Sequence, residues 1–393
     1  MANSTIFSVE LRDKDGNFRQ YLTPYVTKIG WEWNRLGGCG NANLTLAMDY
    51  RKIIFNADDD IQIRVRDVAG GGTKLVYRGW VSDAKPLLKD TQSVSLVIKG
   101  YFDKLDRLLV HSSGTTLTYT SKTVSYIVDD IIDTFAVPNS EITKGTINAA
   151  GFTADTISFK ATIKSVLKTL ADLEGGVEYG VDEDLVFFWL DEDTDLRQKF
   201  FVGHNVKKYQ RRTDASKLVN KYYLEGGLVT GSPYIRTKEN TTSQTRYFLS
   251  EKIILNSAIT TSSVADQYLD ALLDINDSPR VVVTADIVNT NVRLEDTLPI
   301  GQIALYDGDY ADKTYIWGTT ANGGNNLIWG TTGNSGSGKQ WGQIYKNQVD
   351  RIKYSLSDTE GRFNINLTLG DGILEASAFI RQMNAQLSEL IQR

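Results

Sequence analysis

The feature that most constrains this chain is the order in which its hydrophobic periods change. Residues 1–110 carry strand patterns, residues 111–205 carry two amphipathic helical stripes with a small mixed unit, and strand patterns return over 206–370. A period of two buries one face of a pleated strand and a period near 3.6 buries one stripe of a helix, so each change of period marks a change of layer. With 393 residues the chain is too long for one ordinary core. A hydrophobic fraction of 41%, an aromatic fraction of 10% and only 6 prolines describe ordered globular segments. No apolar run approaches the ~20 residues of a membrane-crossing helix, and the first six residues lack the basic and apolar regions of a signal peptide. The expectation is a protein made soluble in a cytoplasm. The single cysteine, Cys39, excludes an intrachain disulfide and a multi-cysteine zinc site, which leaves packing and oligomerisation to supply stability.

In the first block Phe7, Val9 and Leu11 alternate with polar residues and run into Asp13-Lys-Asp-Gly16, a turn. Gly37-Gly-Cys-Gly40 reads as a glycine-rich turn, and Ile61, Ile63 and Val65 alternate strictly with Gln62, Arg64 and Arg66. Further strands over Leu75–Val81 and Val94–Ile98, with no helix between them, predict an antiparallel sandwich or barrel.

The middle unit changes period. Val124, Ile127, Val128, Ile131, Ile132 and Phe135 follow helical spacing behind a Ser121 cap, and Pro138 ends the run. Ile163, Val166, Leu167, Leu170 and Leu173 repeat the pattern and stop at Gly175-Gly176. Each helix has one apolar stripe, to be packed on the other or on a hairpin over Val177–Trp189.

Strands resume at Leu218–Leu224 and end in Glu225-Gly-Gly227. A capping box Ser263-x-x-Asp266 opens a helix carrying Ala265, Tyr268, Leu269 and Leu272. Val281–Val288 reads as a buried strand, and Phe363, Ile365, Leu367 and Leu369 alternate as the last one. Between them Ile316-Trp-Gly-Thr-Thr320 recurs as Ile328-Trp-Gly-Thr-Thr332, with a partial third copy at Trp341-Gly342. Twelve residues are too few for a propeller blade, so about 315–342 is expected to be a hairpin-type insertion. Its Trp317, Trp329 and Trp341 pack on each other or on a neighbouring subunit, or else form a sugar-binding or membrane-facing aromatic surface. Over 371–393, Ile373, Ile380 and Leu387 occupy a positions, and Ala376, Met383 and Leu390 occupy d positions of a short amphipathic helix. So short a helix needs its symmetry mates, another protein or its own barrel to bury the stripe.

Catalytic chemistry is not legible. Gly333-x-x-x-x-Gly338-Lys339 has the glycine–lysine spacing of a phosphate loop, but Gln340 follows where Ser or Thr is needed and no strand–loop–helix context surrounds it. Asp191, Asp193 and Asp195 have calcium-loop spacing, yet Leu196 and Val202 stand where the loop needs glycine and a bidentate glutamate. Asp58-Asp59-Asp60 reads as a solvated turn before a strand. His111 and His204 have no metal-ligand spacing and are expected to cap or to lie on the surface. Nothing among the 48 acidic residues singles out an opposed glycosidase pair. A net charge of -5 and a pI near 5.3 oppose a nucleic-acid grip but suit a surface past which DNA slides.

The order of these features resembles the baseplate-hub, or tail-tip hub, proteins of tailed bacteriophages, which are related to the spike hubs of contractile injection systems. The resemblance is carried by Val9-Glu-Leu-Arg-Asp13 with Gly16, Asp59-Asp-Ile61-Gln-Ile63-Arg-Val65, Tyr77-Arg-Gly79-Trp-Val81, the Thr123–Phe135 and Thr162–Gly176 helices, and Ser216-Lys-Leu-Val-Asn220 with Gly226-Gly227. It implies a mainly β fold with α+β parts: two tail-tube-like antiparallel β-barrels, at 1–110 and 206–370, flanking a small helical α+β domain at 111–205, plus the C-terminal helix. It further implies a homotrimer whose six barrels surround an axial channel, joining a sixfold tail tube to a threefold tip in the virion. The implied partners are the tail tube or a distal tail protein, the tape-measure protein, and central spike or fibre proteins. DNA would pass without specific binding, and contact with the host envelope would be indirect. Trp317, Trp329, Trp341, Ile373, Ile380, Met383, Leu387 and Leu390 are the candidate subunit or partner contacts. No cofactor, metal or catalytic residue is implied. The Trp-Gly-Thr-Thr insertion, and an end at Arg393 without an attached lysozyme, peptidase or needle, depart from the family and point away from an enzymatic tip. A receptor- or glycan-binding tail protein, supported by the tryptophans, is the alternative, with a wall-degrading enzyme behind it.

Overall fold

The structure is a computed structural model, and it describes residues 7–48, 53–66, 73–87, 93–148, 152–192, 196–203, 206–287, 302–307, 342–357 and 363–369. The first block forms β1 (Phe7–Arg12), β2 (Phe18–Tyr21), β3 (Val26–Asn34), β4 (Leu36–Leu46), β5 (Asp60–Arg66), β6 (Thr73–Leu87) and β7 (Ser93–Gly100), hydrogen-bonded in the order β3-β4-β7-β6-β5-β1-β2. Every ladder in that path is antiparallel. Alternation sets the faces as expected: Val9, Leu11, Ile61, Ile63, Val65, Val94, Leu96 and Ile98 are all buried.

The glycines at 37–40 do not form a free turn. They open β4, whose Leu36–Gly38 pairs in parallel with Tyr179–Val181. The two backbones approach so closely that a Cβ on Gly38 or Gly180 would overlap the facing strand.

The middle of the chain forms β8 (Leu109–Val110), β9 (Leu117–Thr123), α1 (Val124–Ile131), β10 (Thr143–Ile147), β11 (Thr153–Phe159), β12 (Ala161–Thr162), α2 (Ile163–Glu174), β13 (Val177–Val181) and β14 (Val186–Asp191). Both helices start on a threonine. Thr123 Oγ1 accepts from Tyr126 N–H and Thr162 Oγ1 accepts from Ser165 N–H, each at 3.3 Å. Ser121 lies inside β9 and is not the cap. Beyond α1 the chain loosens into a π turn over Ile132–Ala136 and a 3-10 turn over Val137–Asn139 that contains Pro138. Gly175, at φ +69°, ends α2 where expected.

The remainder forms β15 (Leu196–Phe201), β16 (Val206–Asp214), β17 (Lys221–Val229), β18 (Ser232–Glu239), α3 (Thr241–Tyr247), β19 (Glu251–Asn256), α4 (Ser262–Asn276), β20 (Arg280–Ile287), β21 (Gln302–Asp307), β22 (Gly342–Ser357) and β23 (Phe363–Leu369). β17 runs on through Gly226-Gly227 rather than ending there. The capping box also fails: Thr261 precedes α4 without a side-chain cap bond, and Asp266 instead accepts two bonds from Arg236, at 2.8 and 2.6 Å.

Two cores result. In one, the stripes of α1 and α2 pack with Val177, Tyr179, Phe187 and Trp189 of the β13–β14 hairpin. Tyr222, Leu224, Ile254, Val264, Ala265, Leu269 and Leu273 join the same core, so the sheet β18-β17-β19 and α4 belong with these helices in packing. The other core lies under the large sheet and draws on both strand-rich blocks, from Val9 and Leu44 to Ile352 and Leu367.

One ladder accounts for that shared core. The path β16-β20-β23-β22 meets β3 through seven antiparallel pairs, from Arg351↔Asn34 to Ser357↔Lys28, giving sixteen described strands in one connected sheet. Trp31 faces Tyr354 across this seam, with ring centroids 5.1 Å apart and planes at 18°. Trp33 stacks on Phe188 of β14 at 5.9 Å and 5°.

Candidate functional surface

Opposite the apolar core, the joined sheet presents a polar face with an ordered cross-strand row. Lys208 faces Asp286, Asp286 faces Asn366, Asn366 faces Lys353, and Lys353 faces Glu32. Asn366 Nδ2 donates to Asp286 Oδ1 at 2.7 Å. Glu32 Oε1 accepts from the backbone N–H and the Nδ2 of Asn41 at 3.1 and 3.2 Å, and Arg351 lies 3.7 Å from its other oxygen. Asn41 in turn faces Lys99, which pairs with Asp103 at 3.2 Å. Lys208, Gln210, Thr284, Asp286 and Asn366 line a shallow polar depression of about 170 Å³. Cations and anions alternate along the row, so the face is polar but carries no block of one sign there. Among the described residues β16, at the end of the strand path, departs from this, with Lys207, Lys208, Arg211 and Arg212 all exposed.

A second network continues the polar face at the other end. Asp60 is 1% exposed, and its carboxylate accepts from Arg78 Nε at 3.0 and 3.1 Å, Gln62 Nε2 at 3.1 Å and the Tyr101 hydroxyl at 2.9 Å. Gln62 Oε1 accepts from Arg64, which also approaches Glu10 at 3.4 Å; Glu10 pairs with Arg12 at 2.7 Å. Asp59, 2% exposed, accepts from Arg19 at 2.6 Å and from Asn56 N–H at 2.8 Å. Asp58 pairs with Arg107, whose guanidinium lies 4.3 Å from the Trp80 ring centroid. The aspartate run is therefore no solvated turn. Asp59 and Asp60 are buried ties from β5 and its approach to β2, β6 and the turn that follows β7, where Arg19, Arg78 and Tyr101 compensate the charge that burial would otherwise penalise, while the Asp58–Arg107 pair stays at the surface. Burial and the Asp60 charge in turn hold the Tyr101 hydroxyl far above its usual range.

The candidates singled out from sequence fall elsewhere. Trp317, Trp329, Trp341, Ile373, Ile380, Met383, Leu387 and Leu390 lie outside the described residues, as do His204, Asp193, Asp195 and the Gly333–Lys339 stretch. His111 acts as a turn cap: its Nδ1 accepts from Gly114 N–H at 3.1 Å, and its ring meets Phe135 edge-on. Among the described residues no group of three or more His, Cys, Asp or Glu is arranged to hold a metal ion. Cys39 is buried, which holds its thiol far above the usual range. The polar row was missed in sequence because its members come from strands far apart in the chain. The one local signal was that Asp60, Gln62 and Arg64 share the period-two face opposite Ile61, Ile63 and Val65.

No family model matches the chain, and no curated protein matches it. Solved structures do. The tail protein from Neisseria meningitidis superposes with a TM-score of 0.59 at 11% identity, covering 93% of this chain and 96% of that one. The 43 kDa tail protein of prophage MuSo2 from Shewanella oneidensis gives 0.58 at 15% identity, over 92% and 96%. The prophage tail protein gp18 from Listeria monocytogenes gives 0.52 at 11%, over 97% and 99%. The chain thus has, along nearly its whole length, the fold of phage and prophage tail proteins.

Proposed function

We propose that this chain is a structural hub of a phage tail tip, built as a trimer around an axial channel through which DNA passes. The observation that carries the reading is a fold shared end to end with tail proteins, in which the two strand-rich blocks join into one sheet through β3 and β22. In this proposal 1–110 and 206–370 supply the tube-like parts and 111–205 the helical unit, with residues 217–277 contributing to that unit's core. Three subunits would present six tube-like parts to the tail tube on one side and a threefold tip on the other. The polar face lines the channel, since alternating charges that pair among themselves repel and hold a passing polyanion about equally. Tail tube or distal tail protein, tape-measure protein and central spike are its partners, and its place is the virion tail. No catalytic role is assigned.

Mass measurement of the assembled tip tests the reading, with three copies expected. Six copies in one ring, or a stable monomer within the particle, would count against it. The alternative, a receptor- or glycan-binding tail protein, rests on the repeated Trp-Gly-Thr-Thr motif. Changing Trp317 and Trp329 to alanine separates the two: impaired assembly favours a subunit contact, whereas normal assembly with reduced host adsorption favours the receptor reading.

A further inference from the structure

Between β16 and β20 the chain leaves the large sheet, builds the small sheet β18-β17-β19 with α3 and α4, and returns. The outward passage is the link from β16 to β17 over residues 215–220, and the return is the short step from α4 to β20 over residues 277–279. The two passages lie side by side. Val219 N–H donates to Asn276 O at 2.9 Å, and Asp214 faces Arg280 in the β16–β20 ladder. The loop before β19 braces the outward passage, since Ser250 Oγ donates to Leu218 O at 2.7 Å. Asn220, fully buried, holds that loop by donating to Phe248 O at 2.7 Å and accepting from Ser250 N–H at 2.8 Å.

Each passage carries a cation with a buried nitrogen. Among the described residues, Nζ of Lys217 and Nε of Arg280 have no hydrogen-bond partner, although neither atom reaches solvent. The acceptors nearby are engaged. Asn276 Oδ1 accepts from Arg280 Nη2 at 2.6 Å, and Asp277 accepts from Asn240 at 2.7 Å. The Asp214 carboxylate accepts from Ser216 N–H at 2.8 Å and lies 3.4 Å from Arg212. Burial and then the charge of Arg280 hold the Lys217 ammonium below the usual lysine range; Asp214 opposes them without offsetting them, and Lys252 adds to the fall. Two cations thus repel each other across the crossing, each with a buried donor that no protein group accepts, which is the costly way to bury a polar atom.

An oxyanion answers both problems where water answers one. A water molecule accepts from the two nitrogens but leaves the positive charge standing, whereas an anionic oxygen accepts from them in stronger, charge-assisted bonds and cancels the repulsion. Lys217 and Arg280 are half-buried as residues, so their nitrogens lie just beneath the surface, and the flexible four-carbon stem of Lys217 can swing to admit an ion. We propose that this crossing binds one small tetrahedral oxyanion, phosphate or sulfate, which accepts from Lys217 Nζ and Arg280 Nε. Lys252 attracts the ion through its charge and need not touch it. Bound there, the ion ties the β16–β17 link to the start of β20 and fastens the small sheet and α4 onto the large sheet.

The site lies within one chain and does not require the hub reading, so the two can fail separately. Inorganic phosphate is the probe, titrated by calorimetry into the purified full-length protein in chloride buffer at constant ionic strength. One ion per chain should bind, with a dissociation constant of about 1 mM or tighter, and sulfate should compete with it. Lys217→Met and Arg280→Met should each weaken binding about tenfold or more, the effect of losing one charge-assisted bond. Thermal unfolding gives a second readout. In chloride alone Lys217→Met should be at least as stable as the unmodified chain, because it removes a buried charge that has no partner; in saturating phosphate it should be the less stable of the two. Absence of saturable phosphate binding, binding unchanged in both variants, or the same order of stability with and without phosphate overturns the proposal.

Discussion

Replacing Trp31 with alanine probes the seam between the two strand-rich blocks. Trp31 is 1% exposed and stacks on Tyr354 across the β3–β22 ladder at 5.1 Å. Truncating a buried tryptophan to alanine costs ~3–5 kcal/mol, and the lost ring pair is ~0.5–1.5 kcal/mol of that. Trp31→Phe keeps a ring against Tyr354 and should cost only ~1–2 kcal/mol. Urea unfolding followed by far-ultraviolet circular dichroism is the assay. Because residues from both blocks share one core, the alanine variant should lower the midpoint of their common transition by about 1–2 M. A midpoint unchanged within error, or two transitions of which only the earlier moves, would refute the claim that the seam couples the blocks.

Asp60→Ala should destabilise by ~3–5 kcal/mol, because it strands the Arg78 guanidinium in a part-buried site; a fall in Tm of less than 2 °C would show that solvent already compensates it. Gly180→Ala should cost at least ~2 kcal/mol, since its Cβ would overlap the Gly37–Gly38 backbone, and a soluble chain with unchanged Tm would contradict the close approach. Glu183 has its carboxyl raised by burial, which outweighs a backbone hydrogen bond that lowers it; the charges of Asp182 and Asp184 add to the rise and Lys74 opposes it. A raised acid disfavours the fold once ionised: the penalty is fully present above the folded-state value and absent below the unfolded value of about 4.3. Glu183→Gln should therefore raise the urea midpoint at pH 7 and lose that advantage near pH 4; an equal gain at both pH values would rule out the charge as its cause.

The parts of the fold that local periodicity governs were legible in the sequence. Ile61, Ile63 and Val65 announced β5, and the stripes ending at Phe135 and Leu173 announced α1 and α2, although α1 stops at Ile131 and Ile132 and Phe135 fall in the π turn after it. Caps were harder, because Ser121 and Thr123 compete within three residues and only the backbone turn at Thr123 decides between them. The glycines at 37–40 carry the composition of a turn, while the reason for them, a parallel strand pressed against β4, lies about 140 positions away. Asp58, Asp59 and Asp60 look solvated until Arg19, Arg78 and Arg107 are brought to them by tertiary contacts. The polar row has the same character: Glu32 and Lys353 are each unremarkable in sequence and become neighbours only through the β3–β22 ladder. The tryptophan and C-terminal contacts proposed from sequence lie outside the described residues, so their roles remain proposals.

The β3–β22 ladder also sets an order of events on the ribosome. The first block can pair internally as soon as β7 emerges, yet β3 then offers a bare edge, with Trp31 and Trp33 beside it, until Arg351–Ser357 has been synthesised. Unpaired strand edges recruit other strands, and each partly synthesised copy of the chain carries such an edge. The interval between β3 and β22 is thus the chain's most exposed moment, and a delay in translating the last strands should convert newly made protein into aggregates rather than slow its folding.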